Sequence, residues 1–400
     1  MAPAPSLDEL AASTPASRDR YADFLRAASI CAVVFGDWFI SLNHWQDGRI
    51  YTTSAIGETS WLWLGTWVLQ VIPIFFFVGG FANLTSFASF ERRGAGIRNY
   101  LRSRMARLLR PFLVFVCVWL VAEIAMNVAG CCGSGSFRGV KPPPATVPFG
   151  PLWFLGVYIL VVLASPITIR LHRRYGWIVP AILLAAAVAG DAFGFLAGIG
   201  AARIPNIASV WLIAHQLGYF YADGTLTAMS RRALWAIALA GLAALVVLTN
   251  PPVWFGHGPS FFDGLPHYPK SLLGTDNEPI SNMNPPTLAL VAMTSWSIGL
   301  AIVARPRLSR WLEAAGPWKA VIFGNTIVMT LFLWHTTAYL FAVIALWPLG
   351  FGRETDSTAR WWLERPLWLA VPAVLLAGLV AVFARFERPV VRERDAPPAR

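Results

Sequence analysis

Charge is scarce in this chain. Only 13% of its 400 residues are Asp, Glu, Lys or Arg, about half the share of an ordinary soluble protein. So few charged groups cannot cover two or three soluble domains, which is what the length alone would suggest. Cysteine is scarcer still, and four of them exclude a disulfide scaffold. Cys31 and Cys117 lie in apolar runs and read most simply as core packing. Cys131 and Cys132 are adjacent in a Gly-rich segment and unsuited to bridging each other. Neither a CxxC nor an HExxH pattern occurs, so no metal site is expected. Residues 1–17 hold no apolar core and do not read as a cleaved signal peptide. Internal repeats of the inverted transporter kind are missing as well.

Apolar residues are what the chain has in abundance: 56% of the total, with a mean hydropathy of +0.55. Ten runs are long enough to span a bilayer: 21–43, 61–86, 111–129, 151–170, 177–198, 206–222, 233–250, 286–304, 320–346 and 365–385. The fold expected is an all-α polytopic integral membrane protein of about ten transmembrane helices in a plasma or inner membrane. Nineteen Trp suit interfacial aromatic belts.

The net charge of +11 resembles that of a nucleic-acid binder until its distribution is read. The segments on one side of a ten-span arrangement carry three, seven, three, two, four and five Lys or Arg, 24 of the 32. That asymmetry is the positive-inside pattern of a membrane protein, with both termini cytoplasmic and no nucleic-acid partner implied. Residues 1–19 then read as a disordered cytoplasmic tail, 20–387 as one transmembrane domain and 388–400 as a second tail. Segments 44–60, 130–150, 251–285 and 347–364 face outward. The 251–285 loop reads as an ordered lid, a carbohydrate-contacting surface or a plain connector.

Charged side chains at membrane depth carry the chemical information, since each costs about 2.5–3.5 kcal/mol at a helix centre. The first span holds Arg26, Asp37 and His44. Eleven residues and then seven more return close to the same helical angle, so a continuous helix places all three on one face. Arg26 and Asp37 are then about 16 Å apart along the axis. Arg26 is long enough to snorkel and His44 lies near the interface, but Asp37 is too short and too deep for that.

This stripe resembles the first helix of the membrane acyltransferase-3 family, in the segment from Arg20-Tyr-Ala-Asp-Phe-Leu-Arg26 to the titratable group eleven residues on. Further segments resemble that family in order: Pro73-Ile-Phe-Phe-Phe-Val-Gly-Gly-Phe81, Arg104-Met-Ala-Arg-Leu-Leu-Arg-Pro111, Pro151-Leu-Trp-Phe-Leu155 and Leu333-Trp-His335. The resemblance covers about residues 20 to 385. It implies transfer of an acyl group from a cytoplasmic thioester such as acyl-CoA to a hydroxyl of a carbohydrate or an exported small molecule. No permanently bound cofactor is implied.

One departure stands out. The family pattern places a histidine where this sequence has Asp37. Three readings follow: Asp37 acts with a histidine from another helix, Asp37 is the base alone, or the site is degenerate. The histidines available for the first are His335 and His215, both near mid-span. An imidazole so placed would be oriented by Asp37, as the acid orients the base in a Ser-His-Asp arrangement. Arg104, Arg107 and Arg110 recur at three-residue spacing where the third span starts. With Arg26 they are candidates for the phosphates of an acyl-CoA donor, with positive-inside anchoring as the alternative. Glu123 and Asp191 are further intramembrane acids, suited to holding an acceptor hydroxyl or to structural hydrogen bonding. His172 reads as solvated in a basic turn. Gly79-Gly80 read as a close helix crossing or as room for an acyl chain. A transporter or flippase of acylated glycan or lipid is the rival from a different class.

Overall fold

The structure is a computed structural model, and it describes residues 7–15, 17–46, 49–59, 61–128, 148–249, 268–274 and 280–387. Lipid offers no partner for main-chain N–H and C=O groups, so apolar runs satisfy them internally as helices. The chain runs through α1 (Leu7–Ala12) and α2 (Arg20–Ile40), then a hairpin of β1 (Ser41–Gln46) and β2 (Arg49–Ser54). Next come α3 (Ala55–Glu58), α4 (Trp63–Leu69), α5 (Ile72–Arg92), α6 (Ile97–Val128), α7 (Leu152–Tyr175) and α8 (Ile178–Phe195). The remainder is α9 (Asn206–Ala222), α10 (Arg231–Thr249), α11 (Leu288–Trp311), α12 (Ala315–Thr326), α13 (Val328–Leu346) and α14 (Ala359–Phe383).

Among the described residues, eight helical segments are long and apolar enough to cross a membrane. The two other expected spans, α2 and α9, are helical too. Helix α2 carries Arg20, Asp23, Arg26 and Asp37, and α9 has 17 residues, most of them buried. Both are interior helices: α2 packs on α5, α12, α13 and α14, and α9 on α5, α7 and α8. An interior helix needs less lipid-facing apolar surface, so polar residues concentrate there.

Several expectations are corrected by packing that hydropathy does not register. The first span stops at Ile40, and the chain turns into the hairpin, pairing Ser41 with Ser54 and His44 with Tyr51. His44 is therefore on a strand, with Nε2 2.9 Å from Thr53 Oγ1, and leaves the helical face of Arg26 and Asp37. The second run is split into α4 and α5 before Pro73. The third helix starts fourteen residues early, because its basic stretch is itself helical. The ninth run breaks at Ile327. There the Asn325 side chain bonds the Val321 carbonyl, and Glu387 accepts from the Met329 and Thr330 amides at 2.9 Å each. Burial pushes the Glu387 carboxyl up from its ordinary value, against those donors. A new helix start leaves N–H groups unsatisfied, and this carboxylate answers two of them.

Residues of the tail expected to be disordered are docked. Helix α1 packs on α12, Trp318 Nε1 donates to Thr14 Oγ1 at 3.2 Å, and Asp8 pairs with Lys319. The guanidiniums of Arg18 and Arg20 lie 5.7 and 4.9 Å from the Trp318 ring centroid. Cys131 and Cys132, most of the 130–150 loop, the 251–267 and 275–279 parts of the long loop, and the 388–400 tail lie outside the described residues.

The crossing of α5 and α9 has room for hydrogen only. A Cβ on Gly80 would lie 2.0 Å from the His215 carbonyl oxygen, and one on Gly218 would lie 2.0 Å from that of Phe77. The space at Gly79 is filled by the Tyr158 ring. These glycines serve helix packing, and no acyl chain fits between them. Gly80→Ala is expected to destabilise the fold by about 1–3 kcal/mol through overpacking, whereas Gly36→Ala, which meets nothing within 4 Å, is expected to be neutral. Thermal unfolding of the two purified variants checks this; equal midpoints would contradict the crossing.

Candidate active site

Helix α2 delivers Asp37 and α13 delivers His335. His335 Nε2 lies 3.2 Å from Asp37 Oδ2. The two differ sharply in exposure: the His335 side chain is 0% exposed and that of Asp37 is 45% exposed. The other ring nitrogen, Nδ1, is 2.6 Å from the Phe332 carbonyl oxygen. A carbonyl only accepts, so Nδ1 carries a hydrogen. In the neutral ring Nε2 then offers a lone pair to a carboxylate that offers another. The contact becomes a hydrogen bond when the pair holds one further proton, on Asp37 or on His335.

That arrangement reverses the expected roles. In a Ser-His-Asp site the acid is buried and the imidazole faces the substrate. Here the imidazole is closed in and the carboxylate is half exposed. The site is tied together through the main chain as well, since Trp38 Nε1 donates to the His335 carbonyl at 3.0 Å.

His215, the alternative partner, is engaged elsewhere. It is fully buried between α5 and α9, with Nε2 2.9 Å from Asn83 Nδ2. Placement by residue count along a span says nothing about azimuth around the bundle. His172 is not solvated: its Nε2 donates to Asp223 at 3.0 Å and its Nδ1 accepts from Gln216 at 2.8 Å.

Toward the N-terminal end of α2, Asp23, Arg26, Arg104 and Arg107 line a cavity of about 330 Å³ with Thr85 and Ser86 of α5. Arg26 is fixed there, donating to Asn325 Oδ1 at 2.6 Å and to Asp23 Oδ1 at 2.8 Å. Arg110 is not among the lining residues. Three-residue steps on a helix drift by about 60° each, so Arg110 points about 120° away from Arg104. A larger groove of about 650 Å³ adjoins at Thr85 and is walled by Arg92, His172, Arg173 and Trp177. Arg26 and Asp37 remain eleven residues apart on one helix, about 16 Å along its axis. A basic cavity and a half-open carboxylate thus mark two ends of the same interior helix.

Asp191 is a structural lock. It accepts from Asn206 Nδ2 at 2.8 Å, the Tyr268 hydroxyl at 2.8 Å and the Leu288 amide at 2.9 Å, with Arg203 at 3.7 Å. Burial pushes the Arg203 guanidinium down from its ordinary value, against the pull of Asp191. The acid joins α8, α9, the 268–274 segment and α11, and no oxygen is left over for an acceptor sugar. Glu123 is half-buried near the C-terminal end of α6.

Sequence inspection overlooked Arg365 and Glu387. Both sit at span ends, where a charge reads as an interfacial anchor, and the hydrogen bonds that distinguish them cross roughly 60 to 330 residues of chain.

Among comparisons with known proteins, the family model described as an acyltransferase domain, that of the acyltransferase-3 family, matches residues 19–385. No curated protein and no solved structure matches the chain. The matched segment takes in α2 with Asp37, the basic cavity and α13 with His335. The chain therefore belongs to the acyltransferase-3 family and is a multi-pass membrane acyltransferase.

Proposed function

We propose that this enzyme moves an acyl group from a cytoplasmic acyl-CoA-type thioester to a hydroxyl of a cell-envelope carbohydrate or an exported metabolite, with Asp37 as the general base. The observation that carries this reading is the 3.2 Å contact between the half-open Asp37 and the closed-in His335. The acceptor O–H gives its proton to the Asp37–His335 pair as its oxygen attacks the thioester carbonyl. Uptake of that proton turns two facing lone pairs into a hydrogen bond. The tetrahedral intermediate then collapses, the C–S bond breaks, and the proton passes to the departing CoA sulfur. The products are the acylated hydroxyl and free CoA thiol.

CoA is too charged to cross a bilayer, but its pantetheine arm is slender and long enough to reach about 16 Å into a helix bundle. In this reading Arg26, Arg104 and Arg107 receive the phosphates, where charge-assisted bonds are roughly twice as strong as neutral ones. Changing Arg104 and Arg107 together to Gln is expected to weaken CoA binding by at least about tenfold, with membrane insertion intact because five other arginines remain between 91 and 110. Calorimetry with CoA on purified protein tests this. Equal affinity in wild type and double variant would leave these arginines a purely topological role.

The orientation implied by the basic segments puts both termini in the cytoplasm. Reporter fusions after Val147 and after Gly264, both outside the described residues, are expected to report the outer side. A cytoplasmic signal at either would overturn that orientation.

A further inference from the structure

An α-helix ends with its last carbonyls lacking partners inside the helix. In α2 those carbonyls belong to Asp37, Trp38, Phe39 and Ile40, so the reacting carboxylate sits in the turn that has to be capped. Ser41 Oγ donates to the Asp37 carbonyl at 2.5 Å. The next carbonyls are met from the other end of the chain. Arg365 of α14 points Nη1 at the carbonyls of Phe39 and Ser41, both at 3.2 Å, with that of Trp38 at 3.5 Å. Its Nε donates to the Trp361 carbonyl at 3.0 Å, and its guanidinium lies 4.0 Å from the Trp361 ring centroid.

Arg365 is 3% exposed. A buried cation at the end of a span is a poor choice for filling space. Every hydrogen bond that it makes among the described residues goes to a main-chain carbonyl; two of those four carbonyls belong to the last turn of α2 and a third to its C-cap, Ser41. Its charge also lies at the negative end of the α2 dipole. A planar fork can stack on an indole and reach several carbonyls at once, which an ammonium cannot do.

We propose that Arg365 is a positioning residue for Asp37. It locks the last turn of α2 so that the Asp37 carboxylate stays on His335 Nε2. The same turn is held against α13 by the Trp38 indole on the His335 carbonyl, so a loosened cap loosens the placement of Asp37 against His335. The inference rests on the reading of Asp37 as the reacting group.

Arg365→Lys keeps the charge and removes the fork. The assay is free CoA thiol released from acyl-CoA by purified protein in proteoliposomes supplied with an envelope glycan extract. The expected result is a fall in kcat of about 10- to 100-fold, with KM for acyl-CoA within about twofold of wild type. In histidine ¹⁵N spectra of the same sample, the His335 Nε2 resonance is expected to shift as the carboxylate moves away from its lone pair. Wild-type kcat with an unchanged spectrum would overturn the proposal. So would equal losses of kcat and donor binding, which mark general damage. Ser41→Ala removes the other cap of this turn and is expected to lower kcat about threefold to tenfold at constant KM. If Arg365→Lys does not fold, wild-type kcat in Ser41→Ala overturns the proposal instead. Asp37→Asn in the same assay separates the levels. Full activity there would sink the reading of Asp37 itself, whereas an inactive Asp37→Asn beside a normal Arg365→Lys would sink only the role of Arg365.

Discussion

Asp37→Asn is expected to lower acyl transfer by about 10²- to 10⁴-fold, the usual contribution of a positioned general base, while the protein folds and binds donor as before. The amide is nearly isosteric with the carboxylate, and its N–H can donate to the Nε2 lone pair of His335. The 3.2 Å contact therefore survives and only the capacity to take a proton disappears. Loss of rate without loss of donor affinity is the pattern of an interaction made in the transition state alone. Asp37→His keeps a group that can take a proton at this position, and it is expected to retain measurable transfer. Transfer at the wild-type rate by Asp37→Asn would mean that the base lies elsewhere. It would also leave the reversed exposure of the pair without a purpose.

His335→Gln is expected to lower kcat by about 10²-fold, less than the loss at Asp37 because the open carboxylate remains. Glutamine can still donate to the Phe332 carbonyl that now holds His335 Nδ1. It cannot share a mobile proton with Asp37, so proton uptake from the acceptor no longer creates a new hydrogen bond. The two residues act as a unit, and their effects are expected not to add. The Asp37→Asn/His335→Gln double variant should be no slower than Asp37→Asn by more than about twofold. Parallel kinetics of the single and double variants check this. Fully additive losses would show two independent roles in place of one pair.

Much of this architecture could be seen in the chain. Bilayer solvation leaves helices as the only form for long apolar runs, and Asp37 is conspicuous because a short acid cannot snorkel out of a span. His335 stood ahead of His215 as its partner only because Leu333-Trp-His335 belongs to the resemblance; packing puts His335 against Asp37 of α2 and His215 against Asn83 of α5. The burial of His335 and the openness of Asp37 depend on neighbours about 300 residues away in the chain. The β1–β2 hairpin had a local sign, Asp47-Gly48 between two six-residue runs, the dipeptide that favours tight hairpins. An apolar run through 43 masked it. Arg110 followed Arg107 at three-residue spacing, and that rule hides a steady angular drift. The break at Ile327 is set by Asn325 and Glu387, whose partners are a carbonyl one turn back and amides 57 and 58 residues away.

Acylation of a hydroxyl by means of Asp37 has a consequence in the cell that can be weighed. Mass spectrometry of surface glycans and secreted metabolites tests it most directly, in cells with the protein, cells without it, and cells holding Asp37→Asn at the same level. A glycan or metabolite heavier by one acyl group is expected in cells with the protein, and that mass is expected to be missing from the other two. Identical spectra in all three, with the protein folded in the membrane, would contradict it and favour a transport role or a degenerate site.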